Sequence, residues 1–486
     1  MNCRRPNPLV SHPKHTVEKI GGTSMSRVHE LRDTLFIGDR KGAEIYGRIF
    51  VVSAFSGITN LLLEHKKTGE SGVYARFANA DNDHGWLEAL DTVATAMVAA
   101  HEKVLEHPAD LAQAASFVKD RIDGSRNCLI DLGRLCSYGH FRLSDHMLAM
   151  REMLSGLGEA HSAFVTTLML NRSGVDARFV DLSGWRDEGH PDLDQRLTEG
   201  LTGIDLTTEM PIVTGYAQCT EGLMKEFDRG YSEVTFSRLA ALTGASEAII
   251  HKEFHLSSAD PNLVGQDAVR KLGHTNYDVA DQLSNMGMEA IHPKAAKVLR
   301  QNEIPLRVTN AFEPNDPGTL IDDKPAQTPR VEIVTGLDII ALELFEQDMV
   351  GVKGYDAAIL EVLTRHEVRI ISKVSNANTI THYVDSSLKV MRRVEKDLNK
   401  IYPAAKVSAR PLAMASVIGR DLHGLSALSR GLNAIAASGR EALGATQGPR
   451  NVDVLFILER DDLKPVITAL HGEFVSATQP SIQSAA

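Results

Sequence analysis

A short run near the start of the chain combines a cation, two glycines and two hydroxyl groups. Residues 16–24 predict a short strand that ends in a lysine, then a glycine turn, then the start of a helix. Glycines let the backbone approach a ligand closely, and the free N–H groups of a helix start attract anions. The run is therefore typical of a phosphate site, although an ordinary strand-to-helix turn can have the same residues. The candidate phosphate-binding residues, which would bind a nucleotide through its phosphates, are Lys19, Gly21, Gly22, Thr23 and Ser24.

A second polar turn, residues 53–60, also lies between a predicted strand and a predicted helix. Its candidate substrate-binding residues are Ser53 and Thr59, and the alternative is a helix start capped by Ser56 or Thr59.

A third turn, residues 228–233, leads into a helix predicted over 234–242. Arg229 can hold a carboxylate through two hydrogen bonds, and Ser232 and Glu233 stand at the helix start. The alternative is a surface ion pair beside an N-terminal helix acid.

The fourth turn, residues 251–261, is a long polar loop that follows another predicted strand. Its two histidines, His251 and His255, raise the question of a metal. Histidines in loops are more often solvated, so we predict no metal site made by protein side chains.

The sequence holds no P-loop, no His-Glu-x-x-His and no Gly-x-Ser-x-Gly, which excludes those site classes at the level of motifs. A net charge of −11 argues against nucleic acid or an anionic membrane as the main partner. No uncharged apolar run reaches the length of a membrane span. The four scattered cysteines favour unpaired thiols in a reducing compartment, so a cytoplasmic location is expected.

Strand-like and helix-like segments alternate through the first three hundred residues, which predicts an α/β sandwich with a largely parallel central sheet. A proline-rich block at 310–329 indicates a linker. Beyond it, two successive β-α-β-β-α-β patterns predict ferredoxin-like modules, with strands at 406–412 and 413–418 among their elements. The expected divisions are a flexible extension (1–15), a catalytic domain (16–322), a linker (323–330) and two modules (331–402 and 403–480).

At these turns the chain resembles the aspartate kinases of the amino-acid kinase superfamily. Residues 19–24 are similar to their Lys-Phe-Gly-Gly-Thr-Ser, and residues 53–60 to their Ser-Ala-x-x-Gly-x-Thr-Asn. Residues 304–321 resemble the strand and tail that close their catalytic domain. The resemblance runs from about residue 16 to the end of the chain. It implies the amino-acid kinase three-layer sandwich, followed by two ACT domains.

The resemblance implies transfer of the γ-phosphoryl group of ATP to the β-carboxylate of L-aspartate, with Mg²⁺ as a further cofactor. Lys19 would neutralise the phosphates, Arg229 would hold the α-carboxylate of aspartate, and Glu233 would orient Lys19 or the substrate amine. The ACT domains imply a homodimer or a higher homo-oligomer and a possible amino-acid effector. The candidate effector residues are Ser375, Asn376 and Asn378.

The chain departs from the family pattern at several residues that are expected to bind the substrate or the nucleotide. Arg-Gly-Gly-Ser-Asp becomes residues 229–233, which end in Glu233. Gly-Glu-Arg-Leu-Ser is matched to Gly139–Ser144, where the glutamate that receives the substrate ammonium is missing. The Thr-Asp pair of the family's nucleotide loop becomes His251-Lys252, so the resemblance implies that His251, Lys252 and Ser257 are nucleotide-binding residues. A lysine of the family pattern becomes Glu289. These departures resemble the divergent aspartate kinases found with ectoine biosynthesis.

Two alternatives stay open from the sequence. The chain could be an amino-acid kinase that acts on another acidic substrate, such as glutamate or its N-acetyl form. It could also be a catalytically weak amino-acid sensor built on a kinase body.

Overall fold

The computed structural model of the protein describes residues 14–66, 68–79, 84–227, 230–288, 290–326 and 328–476. The chain divides into two compact units. The first contains the chain up to His255 together with Ile291–Asp323, and the second contains Leu256–Ala290 together with the chain from Lys324 onward. The expected extension, 1–15, lies outside the described residues except for Lys14 and His15.

In chain order, the strands are β1 (Thr16–Ile20), β2 (Arg48–Val52), β3 (Ala177–Val180), β4 (Met210–Thr214), β5 (Glu247–Lys252), β6 (His274–Asn276), β7 (Leu306–Asn310), β8 (Thr319–Asp322), β9 (Ile333–Phe345), β10 (Arg369–Ser375), β11 (Thr379–Asp385), β12 (Lys406–Ile418), β13 (Gly444–Gln447) and β14 (Asp453–Leu458).

The α-helices are α1 (Gly22–Met25), α2 (Val28–Leu31), α3 (Ile58–Leu62), α4 (Val73–Ala78), α5 (His84–Glu102), α6 (Pro108–Ser137), α7 (Met147–Arg172), α8 (Leu193–Leu201), α9 (Leu223–Phe227), α10 (Tyr231–Thr243), α11 (Pro261–Val264), α12 (Tyr277–Asn285), α13 (Pro293–Gln301), α14 (Tyr355–Arg365), α15 (Leu388–Ile401), α16 (Ala427–Ala437) and α17 (Leu463–His471). None of the described helices is both long and apolar enough to cross a lipid bilayer.

In the first unit the strands follow the order β3-β4-β2-β1-β5-β7-β8. Neighbours from β3 to β7 are parallel, and β8 is antiparallel to β7. Every residue of β2 and β4 is buried, which requires cover on both faces of the sheet. The predicted α/β sandwich is confirmed. Because β1, β2, β4 and β5 are parallel, their carboxyl ends meet at one edge, where open α/β sheets bind ligands.

The second unit contains one antiparallel sheet in the order β10-β11-β9-β12-β14-β13. Strands β9 and β12 have 13 residues each and pair along their whole length, from Phe345 with Lys406 to Ile333 with Ile418. The two strands predicted at 406–412 and 413–418 are therefore one. Because β9 and β12 each serve both halves of the sheet, the modules share their central strands. The division into modules at 331–402 and 403–480 stays a proposal, and the two modules would share the sheet formed by β9 and β12.

Candidate active site

Lys19 is the fourth of the five residues of β1 and contacts Glu233, which stands in the first turn of α10. The Lys19 Nζ lies 3.2 Å from Glu233 Oε1, and Lys19 is only 8% exposed. The other oxygen of Glu233 accepts a hydrogen bond from the His292 N–H. Burial alone would raise the pKa of Glu233, but the charges of Lys19 and Lys252 and the His292 N–H hold it below its usual value. Glu233 is therefore an anion that holds Lys19 in place.

Glu159, on α7, is a second carboxylate beside Lys19. Burial raises the pKa of Glu159 to about 8, against the opposing effects of the Lys19 charge and of a hydrogen bond from the Tyr216 N–H. Its Oε2 is buried and has no hydrogen-bond partner among the described residues. A Cβ atom added at Gly215 would lie 3.0 Å from that oxygen, so a side chain at position 215 would crowd it. A buried carboxylate with an unpaired oxygen is suited to receive a cationic group.

The two glycines of the turn after β1, Gly21 and Gly22, have different surroundings. A Cβ atom on Gly22 would come within 2.8 Å of the Ala54 carbonyl oxygen, so Gly22 permits close packing against the turn after β2. A Cβ atom on Gly21 would meet nothing within 4 Å, so the backbone there faces open space. The predicted helix is only the four-residue α1, and its dipole is correspondingly small. Lys19 must supply most of the positive charge of this turn.

The two hydroxyl residues of the same turn differ in environment. Thr23 is exposed, whereas Ser24 is buried and donates a hydrogen bond of 2.6 Å to Glu253 Oε1. The Ser24 hydroxyl therefore holds the turn rather than facing a ligand.

The turn after β2 is fastened both to β1 and to α7. The Ser53 N–H donates to the Ile20 carbonyl oxygen at 3.1 Å, and the Ser53 carbonyl oxygen accepts from Ser162 Oγ at 2.8 Å. Thr59 is partly exposed on α3. The N-cap of α3 is Gly57, which has φ of 86°, so neither Ser56 nor Thr59 caps this helix.

Ser232 is buried at the start of α10, next to Gly215. Ser232 and Glu159 both border Gly215, and Glu159 and Glu233 both act on Lys19. The structure thus brings together residues from the ends of β1 and β4 and from α7 and α10.

His251 is placed differently from the sequence prediction. Its Nε2 lies 2.7 Å from Glu18 Oε2 and its Nδ1 lies 2.7 Å from Thr309 Oγ1. Glu18 in turn accepts two hydrogen bonds from the Arg48 guanidinium, at 2.7 and 2.9 Å. Because successive side chains of a strand point to opposite faces, Glu18 and Lys19 lie on opposite faces of β1. The His251 side chain belongs to this buried polar network and not to the Lys19 site, and its nucleotide contact stays a prediction.

Comparison with known proteins gives the family. The model of the amino acid kinase family matches residues 14–310. A protein of Stutzerimonas stutzeri (strain A1501) named Aspartate kinase Ask_Ect is 50% identical over 463 residues, which cover 95% of this chain and 97% of the relative. The chain belongs to the amino acid kinase family and, within it, to the aspartate kinases.

Solved structures agree on the fold. Aspartokinase III of E. coli in complex with lysine and aspartate (T-state) aligns with a TM-score of 0.71 and 20% identity, covering 95% of this chain and 100% of that one. The same enzyme in complex with aspartate and ADP (R-state) aligns with a TM-score of 0.68 and 19% identity, covering 95% and 99%.

The aspartate kinase motif Gly-Glu-Arg-Leu-Ser fits a different segment from the one expected. Gly139–Ser144, to which it was matched, lies between α6 and α7 and is mostly exposed. Gly158–Ser162 carries Gly-Glu-x-x-Ser without an inserted residue, and its glutamate is Glu159. The glutamate is therefore not missing. The spacing of this second segment was the signal that the sequence prediction overlooked.

Several predicted residues stay outside the site that the structure describes. Arg229 and Glu289 are not among the described residues. Ser257 lies in the second unit, where its Oγ donates to the Ala259 carbonyl oxygen at 2.8 Å. Lys252 ends β5, and its charge acts on Glu233.

The candidate effector residues stand at the turn between β10 and β11. The Asn376 Oδ1 accepts hydrogen bonds from the N–H groups of Asn378 and Thr379, at 3.1 and 2.9 Å. That side chain therefore shapes its own turn, and Ser375 beside it is exposed.

Within the described residues, one group could offer three ligands to a metal ion, namely His255, Glu313 and Asp316, whose ligand atoms all lie within 4.8 Å of one another. Glu313 is exposed, and His255 Nε2 already lies 2.9 Å from Glu313 Oε2, which is the distance of a direct hydrogen bond, so we assign no ion to the group.

Proposed function

We propose that the chain transfers the terminal phosphoryl group of ATP to the β-carboxylate of L-aspartate, which gives 4-phospho-L-aspartate. The observation that carries this proposal is Glu159, a buried carboxylate with an unpaired oxygen close to Lys19. An acceptor that carries an ammonium group would pair with Glu159. Support also comes from the relative named Aspartate kinase Ask_Ect and from the E. coli enzyme solved with aspartate and ADP.

The acceptor would be held at both of its ends. Its ammonium group would meet Glu159, its α-carboxylate would meet Arg229, and Ser232 and Ser53 would border it. The β-carboxylate, with a reference pKa of about 3.9, is already ionised at neutral pH, so no strong general base is needed.

The donor phosphates would lie against Lys19 and the open backbone at Gly21, with Thr23 and Lys252 nearby. Open space over Gly21 and the cation of Lys19 fit a phosphate group. Mg²⁺, which usually stays bound to phosphate oxygens and water, would neutralise part of the phosphate charge. Glu233 keeps Lys19 in position through the contact of 3.2 Å.

The reaction would begin the synthesis of aspartate-family amino acids or of ectoine, and the name of the 50% identical relative favours ectoine. We further propose a homodimer or a higher homo-oligomer, an amino-acid effector bound by the second unit near Ser375, Asn376 and Asn378, and a cytoplasmic location. The E. coli enzyme solved with lysine and aspartate supports the effector proposal.

A hydroxamate assay with a panel of acceptors tests the reaction. We expect ATP-dependent product from aspartate, and far less from succinate, which lacks the ammonium group, and from glutamate or N-acetylglutamate. The Glu159→Gln variant should lose about a hundredfold in kcat/KM for aspartate, the scale of one preorganised charge contact. Equal turnover of aspartate and succinate would contradict the role of Glu159. No turnover of any acceptor would favour the sensor alternative.

A further inference from the structure

Glu152 connects three elements around the acceptor side of the site. It precedes Glu159 by seven residues on α7, so both side chains lie on one side of the helix. One carboxylate oxygen of Glu152 accepts a hydrogen bond from the Tyr216 hydroxyl, and the other accepts from the Met224 N–H at 2.7 Å. Tyr216 follows β4 and Met224 belongs to α9. A single carboxylate therefore fastens α7 to the turn after β4 and to α9.

Tyr216 contacts the acceptor site through both its backbone and its ring. Its backbone neighbour Gly215 lies beside Glu159, because a Cβ atom added at Gly215 would lie 3.0 Å from Glu159 Oε2. The Tyr216 ring meets the Tyr231 ring edge-on, with 5.6 Å between centroids and 85° between planes. Tyr231 immediately precedes Ser232 and Glu233. Tyr216 is only 1% exposed, so a shift of its ring would also move these neighbours.

The ring of Tyr216 is packed on one side and borders open space on another. A Cβ atom on Gly156 would lie 2.9 Å from Tyr216 Cδ1, so the ring rests directly on α7. A cavity of 530 Å³ is bordered by Tyr216, Glu152 and Gly156, and also by Cys219 and Gly222. Because the cavity leaves space on one side of the ring, the bond from the Tyr216 hydroxyl to Glu152 holds the ring away from that space.

We propose that Glu152 is a positioning residue for the acceptor, which acts by holding Tyr216 so that the backbone at Gly215 and Tyr216 stays beside Glu159. This inference rests on the function proposed above, because it concerns the carboxylate that receives the acceptor's ammonium group. Glu152 does not touch the acceptor and works through Tyr216.

Two consequences follow for titration. Burial and the charge of Glu152 raise the pKa of the Tyr216 phenol far above its usual value, so the phenol remains a donor at every working pH. The Tyr216 N–H lowers the pKa of Glu159, and its displacement would let that pKa rise above about 8. A displaced Tyr216 should therefore move the acid limb of the pH profile to higher pH.

The experiment compares the steady-state kinetics of Glu152→Gln and Tyr216→Phe with those of the intact protein. Each variant should raise KM for aspartate about tenfold, the cost of weakening a hydrogen bond to a charged group, and leave KM for ATP unchanged. In both variants, the acid limb of the plot of kcat/KM for aspartate against pH should move to higher pH. The double variant should be no worse than either single one, because the two groups form one interaction. Glu221→Gln, an exposed carboxylate that accepts from the Leu193 N–H, is the matched control and should change none of these values.

Unchanged KM for aspartate and an unchanged pH profile in both variants would overturn the inference while leaving the proposed function intact. Equal increases in KM for aspartate and ATP, with no shift of the profile, would also overturn it, since a general structural defect has that signature. Tyr216→Phe keeps the aromatic ring and removes only the hydroxyl that bonds Glu152. This variant is sufficient for the test if Glu152→Gln folds poorly. If the intact protein makes no product from aspartate, the proposed function itself fails.

Discussion

Lys19 is the cation on which the donor side of the site depends. Its charge acts on both Glu159 and Glu233, and its strand ends where the glycine turn begins. We expect Lys19→Ala to lower kcat by about a hundredfold or more, because one preorganised charge contact to the transferring group is lost. The exposed Lys297→Ala is a suitable control. Steady-state kinetics with near-normal kcat in Lys19→Ala would remove Lys19 from the mechanism.

The raised pKa of Glu159 should also make the stability of the folded protein depend on pH. Its pKa is raised in the folded protein to about 8 from the ordinary 4.5, so the folded state binds this proton more tightly than the unfolded state. The contribution of Glu159 to the free energy of unfolding is therefore lost as the pH rises from 4.5, its ordinary pKa, through about 8, its pKa in the folded protein.

Glutamine does not titrate, so the Glu159→Gln variant escapes this loss of stability. The Tm of the variant should therefore rise relative to that of the intact protein as the pH goes from 5 to 8. Thermal unfolding across that range measures the difference. A difference in Tm that stays constant with pH would contradict the raised pKa.

At the residue scale the sequence predicted the types of group better than their orientations. Lys19, Ser232 and Glu233 were predicted from their turns, and the structure places them together. His251 was also predicted from its turn, but the alternation of side chains along β5 and the nearby Glu18 direct it into another network. Glu159 was missed because it lies within a helix rather than in a turn.

The two turns after β1 and β2 form one packed element, and Gly22 is where they touch. A Cβ atom there would lie 2.8 Å from the Ala54 carbonyl oxygen, which is backbone and cannot rotate away. Gly22→Ala should lower the free energy of unfolding by about 1–3 kcal/mol, the cost of overpacking. Gly21→Ala, with open space and an ordinary φ of −74°, should leave it within about 0.5 kcal/mol. Urea unfolding of both variants checks this, and equal stability of the two would contradict the packing.

The strands of the catalytic sheet were predictable because a short apolar run between two polar turns is too short for a buried helix and long enough for a strand. The joining of 406–412 and 413–418 into β12 was not predictable. Its continuity depends on pairing with β9, some seventy residues earlier in the chain, and such a pairing leaves no local pattern.

The boundary between the two compact units could not be predicted from the chain order. Residues 256–290 lie within the expected catalytic domain, yet they pack with the C-terminal sheet. Leu272, Val279 and Leu283 share a core with Ile333 and Met414. A division placed at the proline-rich block therefore separates residues that fold together.

A chain that ends at Asp323 should for this reason fold poorly. The apolar side chains of α12 would lose the core that covers them, and exposed patches of this kind promote association. We expect aggregation on size-exclusion chromatography and no cooperative thermal transition. A monomer with the Tm of the intact protein would show that residues 256–290 do not need the second unit.

The most direct test of the account measures protons released when aspartate binds. At pH 7 the Glu159 carboxyl, with a pKa of about 8, is mostly protonated, and pairing with an ammonium group requires its anion. Calorimetric titration in two buffers of different ionisation enthalpy should show release of nearly one proton per aspartate at pH 7, and none in Glu159→Gln. Binding of aspartate to the intact protein with no linked proton would contradict the claim that Glu159 receives the acceptor.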